Sequence, residues 1–277
     1  MGHPEHVLTA PEITGDPRDY AVDFNEVNAR DNYSLHMVFK RTHLVGNKPE
    51  KRAEIAAKLQ AAVSDVVVRG VYDVSGFRAD ADLMVWALAD NAEALQDAYR
   101  RMLAVGCCHG PLLEPVWSAM SRHLPAEFSP AHLPACWGGF APRKYMTVYP
   151  FVRSWDWYYL PKQRRAAILR EHGQNGADFN DVAVSTLAAF ALGDWEWTVT
   201  LESDRLVRVM EVLRKQREAE ARLFVRIDTP FYTGVATDFA AWLESQPRRA
   251  PKPEHAQGAP EGEHRGGHCG CHGHHGA

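Results

Sequence analysis

The sequence predicts an α+β fold built from two similar halves. Segments with strand and helix patterns alternate along the chain, and the alternation runs through the same order twice. Residues 82–102 and 194–214 show the repeat most clearly, because each has an acidic residue, a strand with tryptophan, a capping residue and an amphipathic helix. Two β-α-β-β-α-β units fit these counts. Each unit leaves one sheet face bare, so either two sheets pack face to face or they curl into one barrel.

The first half has three clear strand patterns and two helix patterns. The strands are predicted at 33–40, 66–73 and 82–89. Ile55, Leu59 and Val63 recur at helical spacing and predict a helix over 51–63. Asn91 is expected to cap the second helix. The apolar face of that helix consists of Leu95, Ala98, Tyr99 and Met102.

The second half repeats this order. Strands are predicted at 145–152, 182–192, 195–202 and 224–228. A helix that begins at Pro161 has proline near its start and is expected to end at His172, with Gly173 after its end. Asp204 is expected to cap a helix over 205–220. The apolar face of that last helix consists of Leu206, Val209, Met210 and Leu213.

The chain divides into four predicted regions. They are an N-terminal extension over 1–25, a first half over 26–125, a second half over 126–245 and a disordered tail over 246–277. Residues 104–144 join the two halves and are rich in proline, glycine and aromatic residues. A connection of that length is usually functional.

Composition excludes several classes of protein. Of the 277 residues, 45% are hydrophobic and 24% are charged, which is ordinary for a soluble fold. No apolar run reaches about 18 residues, and the N-terminus lacks a basic start followed by an apolar core, so neither a membrane span nor a secretory signal is expected. The formal net charge of −4 argues against a general nucleic-acid binder. Five cysteines without framework spacing indicate reduced thiols in a cytoplasmic protein.

The tail ends in a run of metal-binding side chains. These are His264, His268, Cys269, Cys271, His272, His274 and His275. Imidazole and thiolate ligands suit zinc, nickel or copper. The alternative is a flexible tail that picks up metal without a physiological role, since no folded scaffold is predicted to fix the ligand geometry.

The run YPFVRSWDWYYLPKQRRAAILREHG, residues 149–173, contains the most unusual chemistry. Tyr149 and Arg153 lie four residues apart on one strand and therefore share a face, where they are suited to hold a carboxylate. The alternative is an edge strand with surface side chains, because Pro150 cannot donate to a ladder. His172 is either a helix-capping residue at the negative end of the dipole or an axial ligand to a metal or haem.

This run resembles the signature of the chlorite-dismutase-like haem proteins, and most of all their coproheme decarboxylase branch in its actinobacterial form. The resemblance continues in GDWEW (193–197) and EARLFVRIDTPFYTG (220–234), so it covers most of the second half. It implies two ferredoxin-like halves that form a dimeric α+β barrel, a haem site in the C-terminal half and a homopentamer. It also implies a reaction in which iron coproporphyrin III loses two propionates as carbon dioxide, with hydrogen peroxide as oxidant, to give haem b.

The resemblance assigns roles residue by residue. His172 matches the axial ligand of the haem iron, and Tyr149 matches the tyrosine whose radical removes hydrogen from a propionate β-carbon. Arg153 matches the basic residue that holds this propionate. His132 matches in position the distal histidine that is proposed to deprotonate peroxide. Arg222 matches an arginine that contacts a propionate.

The resemblance also separates the branches of the family. True chlorite dismutases have a distal arginine thirteen positions beyond the axial histidine, where this chain has Ser185. The resemblance therefore places Ser185 in the distal pocket as a further cofactor-binding residue, where its hydroxyl is expected to add a weak hydrogen bond. No arginine occurs between Arg170 and Arg205, which argues against chlorite chemistry. The implied partners are the porphyrin, hydrogen peroxide and, transiently, the enzyme that inserts the iron. The alternatives are another peroxide-dependent haem enzyme, a weak chlorite dismutase, or a haem carrier or sensor without chemistry.

Overall fold

The computed structural model describes residues 7–107 and 110–248. The helices are α1 (Ala10–Thr14), α2 (Phe24–Asn28), α3 (Pro49–Ala62), α4 (Ala92–Ala104), α5 (Trp155–Tyr159), α6 (Lys162–Gly176), α7 (Leu206–Gln216) and α8 (Phe239–Ser245), with a 3-10 helix at Glu220–Phe224. The strands are β1 (Tyr33–Arg41), β2 (Val67–Asp73), β3 (Leu83–Ala89), β4 (Gly106–Cys107), β5 (Gly110–Pro111), β6 (Leu113–Arg122), β7 (Tyr145–Arg153), β8 (Ala183–Ala188), β9 (Trp197–Ser203), β10 (Val225–Ile227) and β11 (Tyr232–Thr237). The predicted metal-binding tail lies outside the described residues.

The main sheet closes on itself. Its strands lie in the order β10-β7-β11-β2-β3-β1-β6-β8-β9, and a further pairing of β7 with β9 completes a barrel. All of its pairings are antiparallel, as between β7 and β9. Of the two arrangements that the sequence allowed, the barrel is therefore the one formed. The predicted α+β class with two ferredoxin-like halves is confirmed.

Two seams join the halves of the barrel. At one seam β11 pairs with β2, with Val235 opposite Asp73. At the other, Arg122 at the end of β6 lies opposite Ala188 at the end of β8. The helix α8 also returns to the first half, because its Trp242 and Leu243 are fully buried in the core of that half. The last helix of the predicted second half therefore stabilises the first half.

The first half follows the predicted pattern closely. The Asn91 side chain caps α4 by accepting a hydrogen bond of 2.8 Å from the Ala94 amide. Three helices, α3, α4 and α8, bury one continuous apolar core against one face of the sheet, with Leu59 and Leu95 at its centre. The strand β6 was not predicted, because 113–122 had been assigned to a connector. It supplies the fourth strand that a ferredoxin-like half requires.

Several element ends in the second half differ from their predicted positions. The strand β8 ends at Ala188 and not at residue 192, because a turn follows in which Ala191 has a φ of 63°. The predicted cap at Asp204 is wrong, since its carboxylate instead accepts from the Lys144 amide at 2.9 Å and α7 begins after Arg205. The helix α7 is also shorter than predicted. The strand β11 and the helix α8 were missed.

The interior of the barrel contains polar side chains as well as apolar ones. The indole of Trp86 donates to the Ser34 hydroxyl at 2.7 Å and stacks on His36, with 4.7 Å between ring centroids. Arg69 pairs with the buried Glu202 at 2.8 Å. Burial lowers the pKa of His36 to about 3, so this imidazole is neutral at pH 7.

Two features are absent from the described residues. No helix in residues 7–107 and 110–248 is long and apolar enough to cross a membrane. The same part of the chain contains no group of three or more metal-ligating His, Cys, Asp or Glu side chains.

Candidate active site

The strand β7 lies inside the sheet and not at its edge. It pairs with β9 along one side, with Tyr149 opposite Val199, and with β11 and β10 along the other. The edge-strand interpretation of Tyr149 and Arg153 is therefore wrong. Because side chains alternate along a strand, these two share the outer face of the barrel, while Val148 faces the interior.

Tyr149 lies half-buried on this outer face. Its ring stacks on Phe231, with 4.5 Å between centroids and 20° between the ring planes. Its hydroxyl makes no hydrogen bond within the described residues. Burial raises the pKa of Tyr149 to about 12, an effect that the positive charge of Arg217 opposes. At pH 7 the side chain is therefore a neutral phenol whose hydrogen is free to leave with an electron.

Arg153 is a half-buried cation without an ionic partner among the described residues. Its guanidinium lies over the Trp157 ring, 4.2 Å from the centroid, and donates one hydrogen bond of 3.3 Å to the Ala221 carbonyl. Its backbone amide donates to Glu196 at 2.8 Å. Burial lowers the pKa of Arg153 to about 10, which leaves it charged at pH 7. A carboxylate that reached this group would meet unused donors.

His172 lies one turn before the end of α6. The helix continues to Gly176 and is capped at Ala177, so the prediction that it ends at His172 is wrong, and with it the interpretation of His172 as a capping residue. The imidazole has no hydrogen-bond partner among the described residues. Surrounding protein lowers the pKa of His172, and the charge of Arg153 lowers it further. The ring is therefore mostly neutral at pH 7, as an axial ligand must be.

The apolar core of the second half is divided in two. One part lies between the sheet and α7, and Tyr149 packs against it. The other lies between α5, α6 and the 3-10 helix, with Ile168 of α6 almost fully buried. On the face that carries Tyr149, the side chain of Val184 is 39% exposed. The helix α6 packs on the 3-10 helix and not on the outer face of β8, where Val184 stays exposed. We call this uncovered outer face beside α6 the cleft; α6 carries His172 on one side of it, and β7 carries Tyr149 on the other.

Ser185 lies on the opposite face of the sheet from Tyr149. It pairs with Thr200, which pairs with Val148, whereas Tyr149 is in register with Val199 and through it with Thr186. The Ser185 hydroxyl is fully buried and accepts a hydrogen bond of 3.0 Å from the Cys136 amide. The structure therefore does not bring Ser185 to the other predicted site residues. Its neighbours Val184 and Thr186 occupy the cleft face.

His132 lies on a segment that spans the cleft from one wall to the other. Glu127 on this segment pairs with Arg165 of α6 at 2.8 Å. Farther along, the Ala135 amide donates to the Val184 carbonyl of β8 at 2.9 Å. His132 lies between these two contacts, in a turn. Surrounding protein lowers its pKa, so at pH 7 it is mostly an unprotonated base.

Arg222 lies on the 3-10 helix and shares the acceptor Asp228 with Arg217, a residue that the sequence did not indicate. Its guanidinium lies 3.1 Å from Asp228 Oδ2, and Arg217 lies 2.6 Å from the same oxygen. No periodicity in the sequence marks Arg217. Its proximity to Arg222 arises because the chain leaves α7 and turns directly into the 3-10 helix.

The chain also matches a known family model over most of its length. Residues 50–237 match the model described as chlorite dismutase. The chain belongs to the chlorite dismutase family. Among curated relatives, the coproheme decarboxylase of Mycolicibacterium smegmatis is 43% identical over 221 residues, which cover 77% of this chain and 93% of that one. The coproheme decarboxylase of Thermus thermophilus is 30% identical over 84 residues, 30% of this chain and 34% of that one.

Solved structures of this family share the fold. Chlorite dismutase from Candidatus Nitrospira defluvii in complex with imidazole superposes with a TM-score of 0.68 at 18% sequence identity. The match covers 79% of this chain and 96% of that chain. At that identity the comparison supports the architecture alone. The expected membership of the chlorite-dismutase-like family is confirmed by the family model and by the M. smegmatis relative, and the expected fold by the solved structures.

Proposed function

We propose that the protein is a coproheme decarboxylase, which converts two propionates of iron coproporphyrin III to vinyl groups and gives haem b. The observation that carries this proposal is the cleft in which a neutral imidazole lies on one wall, and a phenol without a hydrogen bond lies beside an unpaired arginine on the other. The near full-length match to the M. smegmatis decarboxylase supports it. Chlorite chemistry is less well supported, since the cleft face of β8 carries Val184 and Thr186 and no arginine.

The residues of the cleft fit an iron porphyrin with carboxylate side chains. A neutral histidine is a common axial ligand of haem iron. Arginines are suited to carboxylates, which accept paired hydrogen bonds from them. When bound, the iron porphyrin would supply the redox chemistry.

The protein would supply position and proton handling. His172 would hold the iron, and Arg153 would hold one propionate against the Tyr149 hydroxyl. Tyr149 would lose its phenolic hydrogen and then take a hydrogen atom from the propionate β-carbon. His132 would take a proton from hydrogen peroxide as a general base. Each cycle consumes one propionate, one hydrogen peroxide and one proton, and it releases a vinyl group, one carbon dioxide and two waters.

A direct assay tests this function. Purified protein is mixed with iron coproporphyrin III and hydrogen peroxide, and the porphyrins are separated and identified by mass. The expected products are a three-propionate intermediate and then haem b, with two carbon dioxide molecules per porphyrin. Binding without release of carbon dioxide would indicate a carrier or sensor instead. Release of oxygen from chlorite would favour a chlorite dismutase.

Removing the proposed axial ligand gives a second test. We expect His172→Ala to weaken binding of iron coproporphyrin III by at least about 100-fold, because even residues that only orient metal ligands contribute 10- to 100-fold. The absorption spectrum of the bound porphyrin should shift, and added imidazole should restore it. An unchanged spectrum in this variant would assign the iron to another ligand.

The wider setting of the reaction is also part of the proposal. We infer a cytoplasmic homopentamer that receives its substrate from the enzyme that inserts iron into the porphyrin. The support is the resemblance to the coproheme decarboxylase branch. Sedimentation of the purified chain tests the assembly, since a pentamer of the 31.1 kDa chain is well separated from a monomer or dimer.

A further inference from the structure

A second cationic group lies at the C-terminal end of α7. Arg217 and Arg222 both contact one oxygen of Asp228, at 2.6 and 3.1 Å. The two guanidiniums and the single carboxylate leave a net charge of +1. The side chains of Arg217 and Arg222 are 43% and 36% exposed, so most of their donors are open to solvent.

Two contacts place this cluster at the walls of the cleft. Gln216, which precedes Arg217, donates a hydrogen bond of 3.2 Å to the carbonyl of His172. Asp228 lies three residues before Phe231, whose ring stacks on Tyr149 at 4.5 Å. The cluster therefore lies at the junction of the two proposed catalytic walls.

A third contact links the cluster to Arg153. The Arg153 guanidinium donates to the carbonyl of Ala221 at 3.3 Å, and Ala221 is the residue before Arg222. Electrostatics agrees with this placement. After burial, the charge of Arg217 has the largest effect on the pKa of Tyr149, ahead of those of Arg222 and Arg153.

A purely structural role explains this arrangement poorly. A guanidinium has five N–H donors, yet Arg217 and Arg222 each direct only one nitrogen at Asp228, and both use the same carboxylate oxygen. An ion pair this exposed contributes little to stability. The Asp228 side chain is 16% exposed, much less than either arginine. It therefore contacts the inner side of both guanidiniums and leaves their other donors accessible to solvent.

We propose that Arg217 is a further substrate-binding residue, which together with Arg222 assists Arg153 in binding the carboxylate of the propionate that lies at Tyr149. Asp228 acts as the positioning residue that aligns the two guanidiniums. The identity of the ligand as a porphyrin propionate rests on the proposed function. The placement of the cationic site rests on the contacts of Gln216 and Ala221.

Binding titrations without peroxide test this role. Iron coproporphyrin III carries four carboxylates, whereas haem b lacks the two that are converted to vinyl groups. We expect Arg217→Gln to weaken binding of iron coproporphyrin III by about 10-fold or more, since a hydrogen bond to a charged group contributes about 1.5–3 kcal/mol. Binding of haem b should change by less than about twofold. Arg217→Lys should recover most of the lost affinity.

The matched control is Arg214→Gln, which removes the same charge from an exposed position three residues earlier on α7. It should leave both affinities unchanged. Equal losses for both porphyrins in Arg217→Gln, or an unchanged affinity for iron coproporphyrin III, would overturn the assignment. The proposed function can fail separately. If the unmodified protein releases no carbon dioxide but Arg217→Gln still discriminates between the porphyrins, the binding site stands without the reaction.

Discussion

Tyr149→Phe is expected to bind iron coproporphyrin III as tightly as the unmodified protein and to lose at least about 1000-fold in turnover, or roughly 4 kcal/mol of transition-state stabilisation. The ring remains stacked on Phe231, since phenylalanine keeps the aromatic contact. Only the hydroxyl is lost, and it makes no hydrogen bond within the described residues. The change therefore removes the hydrogen that the proposed reaction needs and little else. Carbon dioxide release at saturating porphyrin measures the loss.

Tyr158→Phe is the matched control for this prediction. Its hydroxyl donates to Glu196 at 2.6 Å, so the same substitution removes a hydrogen bond close to Arg153 without removing the proposed redox residue. We expect it to retain most of the activity. Full activity in Tyr149→Phe would refute the assignment, and equal losses in both variants would indicate that a general disturbance of this wall is responsible.

The proposed site lies in the half whose helices leave part of the sheet uncovered. Both halves share the same order of strands and helices. In the first half α4 packs on the sheet, α3 packs against α4, and α8 from the chain end covers the remainder, so one core is formed. In the second half only α7 packs against the sheet, and α6 packs instead on α7 and the 3-10 helix. The duplicated fold thus has one half in which three helices cover the sheet and one half in which part of the sheet stays uncovered, where the proposed site lies.

Much of the fold could be predicted because the long elements have strong periodicity. The strands β1, β3 and β7 and the helix α4 lie within one or two residues of their predicted positions. The strand β6 escaped prediction because its sequence, LEPVWSAMSR, contains proline and mixes polar with apolar residues on both faces. It is stabilised by pairing with β1, which is far away in sequence. A local sequence pattern cannot predict pairing with a strand that is so distant in sequence.

The same limit explains the site. Tyr149 and Arg153 could be predicted to share a face, because the alternation of a strand is local. Ser185 could not be placed by counting thirteen residues from His172, since a shift of one residue moves a strand side chain to the other face. Arg217 could not be found at all, because the contact that gives it a role joins α7 to the loop at Asp228.

The N-terminal extension offers the largest expected effect on stability. Arg143 is 5% exposed and donates to Asp19 at 2.8 and 2.7 Å and to Asp16 at 2.8 Å. The Asp19 side chain is fully buried and also accepts from the Ala141 amide at 2.9 Å. We expect Asp19→Ala to lower the free energy of unfolding by about 3–5 kcal/mol, because it leaves the buried guanidinium with much less compensation. Urea denaturation at pH 7 measures this change.

Arg18→Ala is the matched control, because it removes an exposed ion pair of the same extension and leaves the buried pair of Arg143 with Asp19 intact. Arg18 pairs with Asp16 at 2.7 Å, but its side chain is 48% exposed, so its loss should cost no more than about 1 kcal/mol. The extension would then be held by the buried pair and not by its surface charges. Equal effects of the two substitutions would contradict this.

Because Arg143 directly precedes Lys144 and the start of β7, loss of its ion pair with Asp19 should also disturb the strand that carries Tyr149. Asp19→Ala should therefore reduce turnover at temperatures where the protein is still folded, whereas Arg18→Ala should not.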